Sequence, residues 1–334
     1  MKFGVALPTA GEGIGFPIGF ATPETLTRIA EHAEQLGFYA VMPNDHLCTP
    51  RAVRDESGTP PAFYEPLIAL AYSAARTRNI RLMTGLIVLP LREPVLLAKQ
   101  VTTLDHYCNG RLILGVGAGI YRDELEASLP HLRHASRREL VDEGLEALDR
   151  LLNKRSATFK GRYRSFEDVE LHPKAKQQEL PIFVAGNTDL ALRRAARYGR
   201  GWMSAGLGPK QIVDGRRRLR EYAQEDRRDH TGISTAVQLT VCLGRTQHAA
   251  EERLKATKVW QQWTTVGLRG ITPADLMRAN LIGTAEEICE RVAALEQSGV
   301  DHLAGLIFPG RDVNEILEQM EEFAGSVMTE FPDR

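Results

Sequence analysis

Cysteine is scarce in this chain of 334 residues, and the few that occur are scattered. The four cysteines stand at positions 48, 108, 242 and 289, with no Cys-x-x-Cys pair and no histidine at ligand spacing. Disulfide scaffolds and structural zinc sites require grouped cysteines. We therefore expect neither of them, and no metal site is predicted.

An excess of charge of one sign is also missing. Lysine and arginine total 42, aspartate and glutamate total 43, and the formal net charge is −1. A chain balanced in this way has no electrostatic basis for binding nucleic acid or an anionic membrane surface. We expect neither partner, and a small-molecule substrate becomes the default.

Long hydrophobic runs are absent as well. Stretches such as residues 80–91 are bounded by charges well short of the ~20 residues that a membrane span needs. Residues 1–3 lead directly into a strand-like segment, with no signal peptide before it. The expected location is the cytoplasm.

What the chain does contain is a regular alternation of short apolar segments with segments of helical periodicity. Such apolar segments are typical of buried parallel strands. We predict an α/β fold, a (β/α)8 TIM barrel formed by residues 1–334 as one domain, with a doubly wound open sheet as the alternative. Residues 158–178 follow the fourth β/α unit and are predicted to lie outside the repeat. The eight predicted strands are 3–8, 39–43, 80–89, 111–119, 182–185, 201–205, 237–243 and 302–308.

The carboxyl ends of barrel strands carry the chemistry in such folds, so the residues there narrow the function. No carboxylate set recurs at these ends, no lysine lies within a strand, and no Gly-x-Ser-x-Gly sequence occurs. Metal-dependent, Schiff-base and serine-hydrolase chemistry are therefore disfavoured. The glycines at 115, 117 and 119 depart from the dinucleotide fingerprint because position 120 is isoleucine. The remaining glycine-rich, apolar and hydroxyl-bearing positions suit a large planar ligand.

Gly186-Asn187-Thr188 precedes a predicted helix and is the best local candidate for an anion site. Backbone N–H groups at a helix start, with the positive end of the helix dipole behind them, bind phosphate without a lysine. We predict that the N–H groups of Gly186 and Asn187 point into the barrel mouth. The alternative is that Asn187 or Thr188 simply caps the helix while Gly186 permits the turn.

Asp45-His46 follows the second predicted strand. A histidine at a barrel mouth can transfer protons near neutral pH, and a neighbouring aspartate can order the loop or bind a ligand edge. The alternative is a turn residue followed by a surface histidine with no role in chemistry.

Several motifs together carry a family resemblance that covers most of the chain. The sequence resembles the bacterial luciferase-like family of flavin-dependent monooxygenases and oxidoreductases, in particular its probable coenzyme F420-dependent branch. The motifs are Ala33-Glu-Gln-Leu-Gly-Phe38, Asn44-Asp-His-Leu47, Pro94-Val-Leu-Leu-Ala-Lys-Gln100, Leu114-Gly-Val-Gly-Ala-Gly119 and Pro181-Ile-Phe-Val-Ala-Gly186, with 70–82, 104–111, 192–202 and 283–301.

The resemblance implies a reduced flavin as cofactor, with coenzyme F420 slightly favoured over FMN. It implies that Asp45 and His46 face the flavin ring and that His46 is catalytic, as a proton donor or a substrate anchor. It places the Thr84–Gly85 step at the ring edge, often through a non-proline cis peptide bond, and the cofactor phosphate near 185–187. The implied cofactor-binding residues are Asp45, Thr84, Gly85, Ala185, Gly186, Asn187 and Thr188.

Departures from the family pattern are also informative. Ile120 stands where some deazaflavin-dependent dehydrogenases carry a catalytic glutamate, and Pro50 stands where they carry an aromatic residue. A sugar-phosphate dehydrogenase of that kind is therefore not expected. His134-Ala-Ser-Arg137-Arg138 lacks the tyrosine of the His-x-x-Arg-Tyr element seen in many FMN-using relatives.

The function predicted from these features is a flavin-dependent oxidoreductase of the luciferase-like monooxygenase type, in which the cofactor carries the redox chemistry. It would use a reduced flavin to oxygenate or reduce a small organic substrate, with a separate flavin reductase as a possible partner. The loops at 11–19 and 44–64 would close the pocket. Relatives are commonly dimers, so a homodimer is expected. The alternative is a flavin-binding barrel without turnover, acting as a carrier or subunit.

Overall fold

The computed structural model describes residues 1–56, 59–265 and 272–332. The sequence predictions for the loop at 44–64 and for a domain of 1–334 each include a few residues outside these ranges, as does the segment between the seventh and eighth predicted strands. In chain order the strands are β1 (Lys2–Leu7), β2 (Ala40–Pro43), β3 (Arg81–Met83), β4 (Ile87–Val88), β5 (Leu112–Gly117), β6 (Ser156–Lys160), β7 (Ser165–Glu170), β8 (Ile182–Ala185), β9 (Gly201–Ala205), β10 (Ser234–Gln238), β11 (Val241–Leu243), β12 (Leu281–Gly283) and β13 (His302–Leu306).

Eight of these strands form a closed parallel barrel, which confirms the predicted fold class. Around the barrel the order is β1, β2, β3, β5, β8, β9, β10 and β13. Two pairings close the ring: Leu82 is in register with Leu112 between β3 and β5, and Lys2 is in register with His302 between β1 and β13. Every pair is parallel, so all the carboxyl ends open on the same face.

Helices surround the barrel, and most begin at a capping side chain. Thr22, for example, accepts a hydrogen bond from the Thr25 amide, with proline at the next position, as expected for a helix start. In the described part of the chain, no helix combines the length and the apolar content needed to cross a membrane. The helices are α1 (Pro23–Gln35), α2 (Arg51–Glu56), α3 (Pro66–Arg76), α4 (Pro94–Tyr107), α5 (Arg122–Ser128), α6 (Arg137–Asn153), α7 (Asp189–Tyr198), α8 (Pro209–Glu225), α9 (Gln247–Lys255), α10 (Lys258–Thr265), α11 (Pro273–Ala279), α12 (Ala285–Gln297) and α13 (Val313–Ser326).

The apolar core has two layers, because successive residues of a strand point to opposite faces. On β2, Val41 joins the larger cluster between strands and helices, whereas Ala40 and Met42 join the smaller cluster inside the barrel. A glycine is required where Met42 crosses the interior: a Cβ at Gly305 would lie 1.9 Å from its methyl carbon, and φ there is +63°. The barrel is therefore filled below its mouth. The interior cluster consists of Ala40, Met42, Met83, Ile113, Phe183, Met203, Ala236 and Ala304.

The third barrel strand differs from its prediction. Instead of one strand over 80–89, the chain forms β3 and β4, separated at Thr84–Leu86. The buried Thr84 hydroxyl donates to the Gly115 carbonyl and accepts from the Gly115 amide, each at 2.8 Å. It replaces the backbone pairing that the break removes. The non-proline cis peptide bond joins Gly85 to Leu86, one residue beyond the expected Thr84–Gly85 step.

The seventh strand is also divided. The predicted strand 237–243 consists of the end of β10 and all of β11, and β11 pairs with β12. The Asn280 side chain, just before β12, accepts a hydrogen bond at 2.7 Å from the amide of Thr240, just before β11, and so joins the starts of these two strands. Sequence periodicity missed β12 because three apolar residues within a largely helical stretch show no period of their own.

The insertion is an antiparallel hairpin of β6 and β7, outside the barrel as predicted. The Glu143 carboxylate of α6 accepts hydrogen bonds from the amides of Arg162, Tyr163 and Arg164 at its turn. The Arg164 guanidinium, whose pKa is lowered by burial, donates to the carbonyls of Leu89 and Pro90. The hairpin thereby braces the segment that follows β4 at the barrel mouth.

Candidate active site

His46 follows β2 at the barrel mouth, and its side chain is 14% exposed. Its Nδ1 lies 3.1 Å from Oε2 of Glu124. Glu124 belongs to the first turn of α5. The other oxygen, Glu124 Oε1, accepts from the Leu47 amide at 2.6 Å. A carboxylate can only accept, so in the pairing of a carboxylate with a neutral imidazole the proton is on Nδ1 and Nε2 is the nitrogen left for proton transfer. The sequence prediction of His46 as a proton-transferring residue is compatible with this geometry.

Glu124 was not predicted from the sequence. It is 3% exposed, which is unusual for a glutamate, and its buried carboxylate is fully engaged by His46 and the following loop. The only sequence signal is an acidic pair, Asp123-Glu124, shortly after the fourth strand. Acidic residues in a first helical turn are common for reasons of helix dipole alone, so that signal does not distinguish a site.

Two aromatic rings flank His46. The centroids of Phe63 and Tyr121 lie 5.4 Å and 5.6 Å from the imidazole centroid. Phe63 belongs to the long loop after β2, and the Glu12 carboxylate ties that loop to the glycine loop after β1. It accepts from the Ala21 and Ala62 amides, each at 2.7 Å. The two loops expected to close a pocket are therefore joined to each other beside His46.

Asp45 lies next to His46 in sequence but has different surroundings. Its buried carboxylate accepts from the Val88 amide at 2.9 Å and pairs with the Arg92 guanidinium. Arg92 also bonds Glu65, the residue that caps α3, at 3.1 Å. The structure thus engages both Asp45 oxygens in joining β2, β4 and α3. Its predicted contact with a flavin ring stays a prediction.

Between the loop after β2 and the turn after β8, the wall of the barrel mouth is apolar and made of small groups. Thr84 and Gly85 lie beneath it: the Thr84 hydroxyl is bonded to Gly115, and the Gly85 amide donates to the Pro43 carbonyl at 2.8 Å. Leu86 projects beside Gly117 and Ala185, since a Cβ at Gly117 would lie 2.8 Å from Leu86 and 3.4 Å from Ala185. Ligand contact from this segment would therefore come from Leu86 and from the backbone.

The turn after β8 corrects one prediction. The Gly186 N–H does not point into the mouth: it donates to the Met203 carbonyl at 3.0 Å and so continues the pairing of β8 with β9. Gly186 has φ +134°, and a Cβ there would lie 2.9 Å from that of Ala191. Replacing Gly186 would therefore disturb the turn itself, which makes it an unsuitable position for testing cofactor contacts.

Asn187 and Thr188 complete this turn and are both exposed. The Asn187 side chain donates to the Ala205 carbonyl at 2.8 Å, and the Thr188 hydroxyl accepts from the Ala191 amide as the cap of α7. Capping, the alternative considered from sequence, is thus present. A role of this turn in phosphate binding stays a prediction.

The departures from the family pattern have visible consequences. Ile120, the residue at the position where some deazaflavin-dependent dehydrogenases carry a glutamate, is 83% exposed on the loop after β5. Arg137 donates to the Ile120 carbonyl at 3.1 Å, so this guanidinium holds the loop. The nearest buried acid on this side of the mouth is Glu124, four residues further along the chain.

A closed parallel barrel with a half-buried histidine paired to a buried carboxylate at its carboxyl end is an arrangement typical of small-molecule enzymes. The sequence profile of the luciferase-like monooxygenase family matches residues 1–302, and the chain belongs to this family.

Known proteins with similar sequences or structures agree with this assignment. The chain is 24% identical over 340 residues to an FMNH2-dependent dimethylsulfone monooxygenase of Pseudomonas fluorescens, covering 90% of this chain and 89% of that one. The crystal structure of monooxygenase RslO1 from Streptomyces bottropensis is similar with a TM-score of 0.80 and 25% identity, covering 99% and 100% of the two chains. An F420-dependent secondary alcohol dehydrogenase shares the fold, with a TM-score of 0.77, 18% identity and 98% of each chain covered.

Proposed function

We propose that this protein is a reduced-flavin-dependent oxidoreductase that oxygenates or reduces a small organic substrate at the carboxyl end of its barrel. The observation that carries the proposal is the His46–Glu124 pair, at 3.1 Å, on the rim of that mouth. A carrier would need a pocket but no oriented proton-transfer group, so the pair favours an enzyme over a flavin-binding barrel without turnover.

The residues present fit a planar cofactor. Leu86, Gly117 and Ala185 form a wall whose small side chains would allow a ring to approach the backbone closely. Since the Gly186 amide is already bonded, contact with the cofactor phosphate would come from Asn187 and Thr188 at the start of α7. The cofactor is coenzyme F420 or FMN, the groups named for the similar proteins above.

The chain's own residues would control protons and water around that ring. When bound, the reduced flavin supplies the electrons, by hydride transfer or by activating dioxygen. His46 Nε2 would give a proton to the substrate or take one from it, while Glu124 holds the His46 imidazole in a single orientation through Nδ1. Leu86, Phe63 and Tyr121 would exclude water from the reacting face.

Binding and turnover together test this proposal. The purified protein is titrated with FMN and with coenzyme F420 while flavin fluorescence is followed, and oxidation of each reduced cofactor is then measured with a panel of small organic substrates. We expect saturable binding of at least one cofactor and substrate-dependent oxidation that His46→Ala lowers by about 10²–10⁴-fold and His131→Ala, an exposed control, leaves intact. Binding without substrate-dependent oxidation would instead support the carrier function.

We further propose a homodimer, and a separate flavin reductase as partner if the cofactor is FMN. Ile68 and Tyr72 on α3 and Leu96 on the neighbouring α4 are large apolar side chains left exposed, and such patches mark association surfaces. Sedimentation should give a dimer for the parent protein and a monomer for Tyr72→Glu, whereas Tyr107→Glu, at the other end of α4, should stay dimeric. A cytoplasmic location and a single domain over residues 1–334 complete the proposal.

A further inference from the structure

A cavity of about 350 Å³ lies between α7 and α8, outside the barrel wall. Trp202 belongs to the outer layer of the core while its neighbour Met203 points into the barrel, so the cavity is separated from the barrel interior by β9. Its volume is within the range of ligand pockets, from about 300 Å³ upward. The lining residues are Asn187, Leu192, Trp202, Leu207, Lys210, Gln211, Asp214, Gly215 and Arg218.

The lining combines an apolar floor with a charged rim. Leu192, Trp202 and Leu207 form the floor, and the Trp202 indole is fixed by its hydrogen bond to the Gly186 carbonyl at 2.8 Å. A fixed aromatic floor gives the aliphatic part of a ligand a surface to pack on.

One cation of the rim has no partner in the described part of the chain. Arg218 is neutralised by Asp214 at 3.3 Å and by Asp189 at 2.8 Å. Lys210 is exposed, and among the described residues it has neither an ion pair nor a hydrogen-bond partner. Asp189 lies outside the lining, but counted with it the rim is neutral, and within the described ranges Lys210 is the cation of the lining that has no partner. A flexible lysine without a partner beside an apolar floor favours an anionic ligand with carboxylate groups.

The cavity begins where the proposed cofactor phosphate would lie. Asn187 belongs both to the turn after β8 and to the cavity lining. In the loop between β9 and α8, a Cβ at Gly206 would meet nothing within 4 Å, so the space beside this residue is open. A chain continuing outward from a phosphate at Asn187 and Thr188 would therefore enter the cavity directly.

The two candidate cofactors differ at this point. FMN ends at its phosphate, whereas coenzyme F420 continues beyond it as a lactyl-oligoglutamate chain that carries several carboxylates. We infer that the cavity between α7 and α8 receives this anionic chain, with Lys210 pairing one of its carboxylates, and that this protein is thereby selective for coenzyme F420. The inference rests on the proposed function and specifies its cofactor.

The test compares one deazaflavin with and without its tail. Fluorescence titration of the full-length protein uses coenzyme F420, the same deazaflavin 5′-phosphate without the glutamate chain, and FMN. We expect the tail to tighten binding about three- to tenfold, the size of one or two partly exposed ion pairs, and 0.5 M salt to remove most of that gain.

Variants at the rim locate the effect. Lys210→Gln should remove most of the gain from the tail while leaving the affinity for the tail-free deazaflavin unchanged. Gln211→Glu keeps an acceptor for the Gly208 amide and adds a negative charge at the rim, so it should weaken binding of the tailed cofactor alone. Arg220→Gln removes one positive charge from an exposed position of the same helix outside the lining and should change neither affinity.

Two results would overturn the inference while leaving the proposed function intact. One is equal affinity for the tailed and tail-free deazaflavins in the parent protein. The other is a gain from the tail that Lys210→Gln and Gln211→Glu leave unchanged. Failure of FMN and both deazaflavins to bind would overturn the proposed function itself, and the inference with it.

Discussion

The two sides of the barrel mouth are built differently. On the side of β2 and α5, the polar side chains are buried and bonded: Asp45 to Arg92 and Glu124 to His46. On the side of β8 and β9, Asn187 and Thr188 are exposed, and their side chains bond backbone groups of Ala205 and Ala191. Proton transfer requires fixed geometry, whereas a cofactor phosphate must be able to enter and leave. The difference indicates chemistry on the first side and anchoring on the second.

The largest expected effect is on the buried side. His46→Ala should lower substrate-dependent cofactor oxidation by about 10²–10⁴-fold, the usual contribution of a positioned acid or base, while cofactor affinity changes only a few-fold. Glu124→Gln should lower turnover less and shift its pH profile, because the amide still bonds Nδ1 but no longer offers a negative charge to the imidazolium. Turnover of His46→Ala within a few-fold of the parent would remove His46 from the mechanism.

A stability comparison extends this contrast to Asp45. Asp45→Ala leaves the guanidinium of the mostly buried Arg92 with Glu65 as its remaining partner, and removing one member of a buried pair costs about 3 kcal/mol or more. Urea unfolding of the folded variant measures the loss. A cost below about 1 kcal/mol would show that Asp45 is not the structural tie that its contacts indicate.

The barrel floor provides a third contrast, in pH dependence. His302, between Tyr39 and Phe183, is buried, and burial together with Lys2 and the N-terminus lowers its pKa to about 3. An unfolded histidine titrates near 6.5, so below that pH the unfolded chain takes up a proton that the folded chain does not. Stability attributable to His302 is therefore lost as the pH falls from about 6.5 towards 3.

The loss at His302 amounts to about 2–3 kcal/mol between pH 7.5 and pH 4.5. Urea unfolding across this range should show a flatter pH dependence for His302→Leu than for the parent, whereas His131→Leu, at an exposed position, should follow the parent. Parallel curves for His302→Leu and the parent would mean that His302 is protonated in the folded state.

The smallest effect is expected on the exposed side. Thr188→Ala removes the cap of α7 and should cost about 1 kcal/mol of unfolding free energy. If this turn also binds the cofactor phosphate, the same variant should weaken cofactor binding several-fold without changing the turnover of the saturated enzyme. Unchanged cofactor affinity would show that Thr188 only caps the helix. It would also count against cofactor anchoring on the side of β8 and β9.

Sequence patterns gave the repeat more reliably than the contacts within it. Eight strands, the barrel and the position of the insertion outside the repeat followed from alternation and periodicity, which are local properties of the chain. The breaks in the third and seventh strands were missed because Thr84 and Asn280 replace backbone pairs with side-chain hydrogen bonds to distant segments. In the sequence, a polar residue that forms such a bond cannot be distinguished from a polar residue that does not.

His46 and the turn at 186–188 were identifiable from sequence because each follows a predicted strand, and strand ends meet on one face of a barrel. Glu124 was not identifiable, since its burial and its bond to His46 depend on how α5 packs 78 residues away along the chain. The occupied Gly186 amide is likewise set by the pairing of β8 with β9. Periodicity and glycine placement thus determined the barrel and its open face by themselves. Tertiary packing decided which of the groups at that face are already bonded and which are free to act.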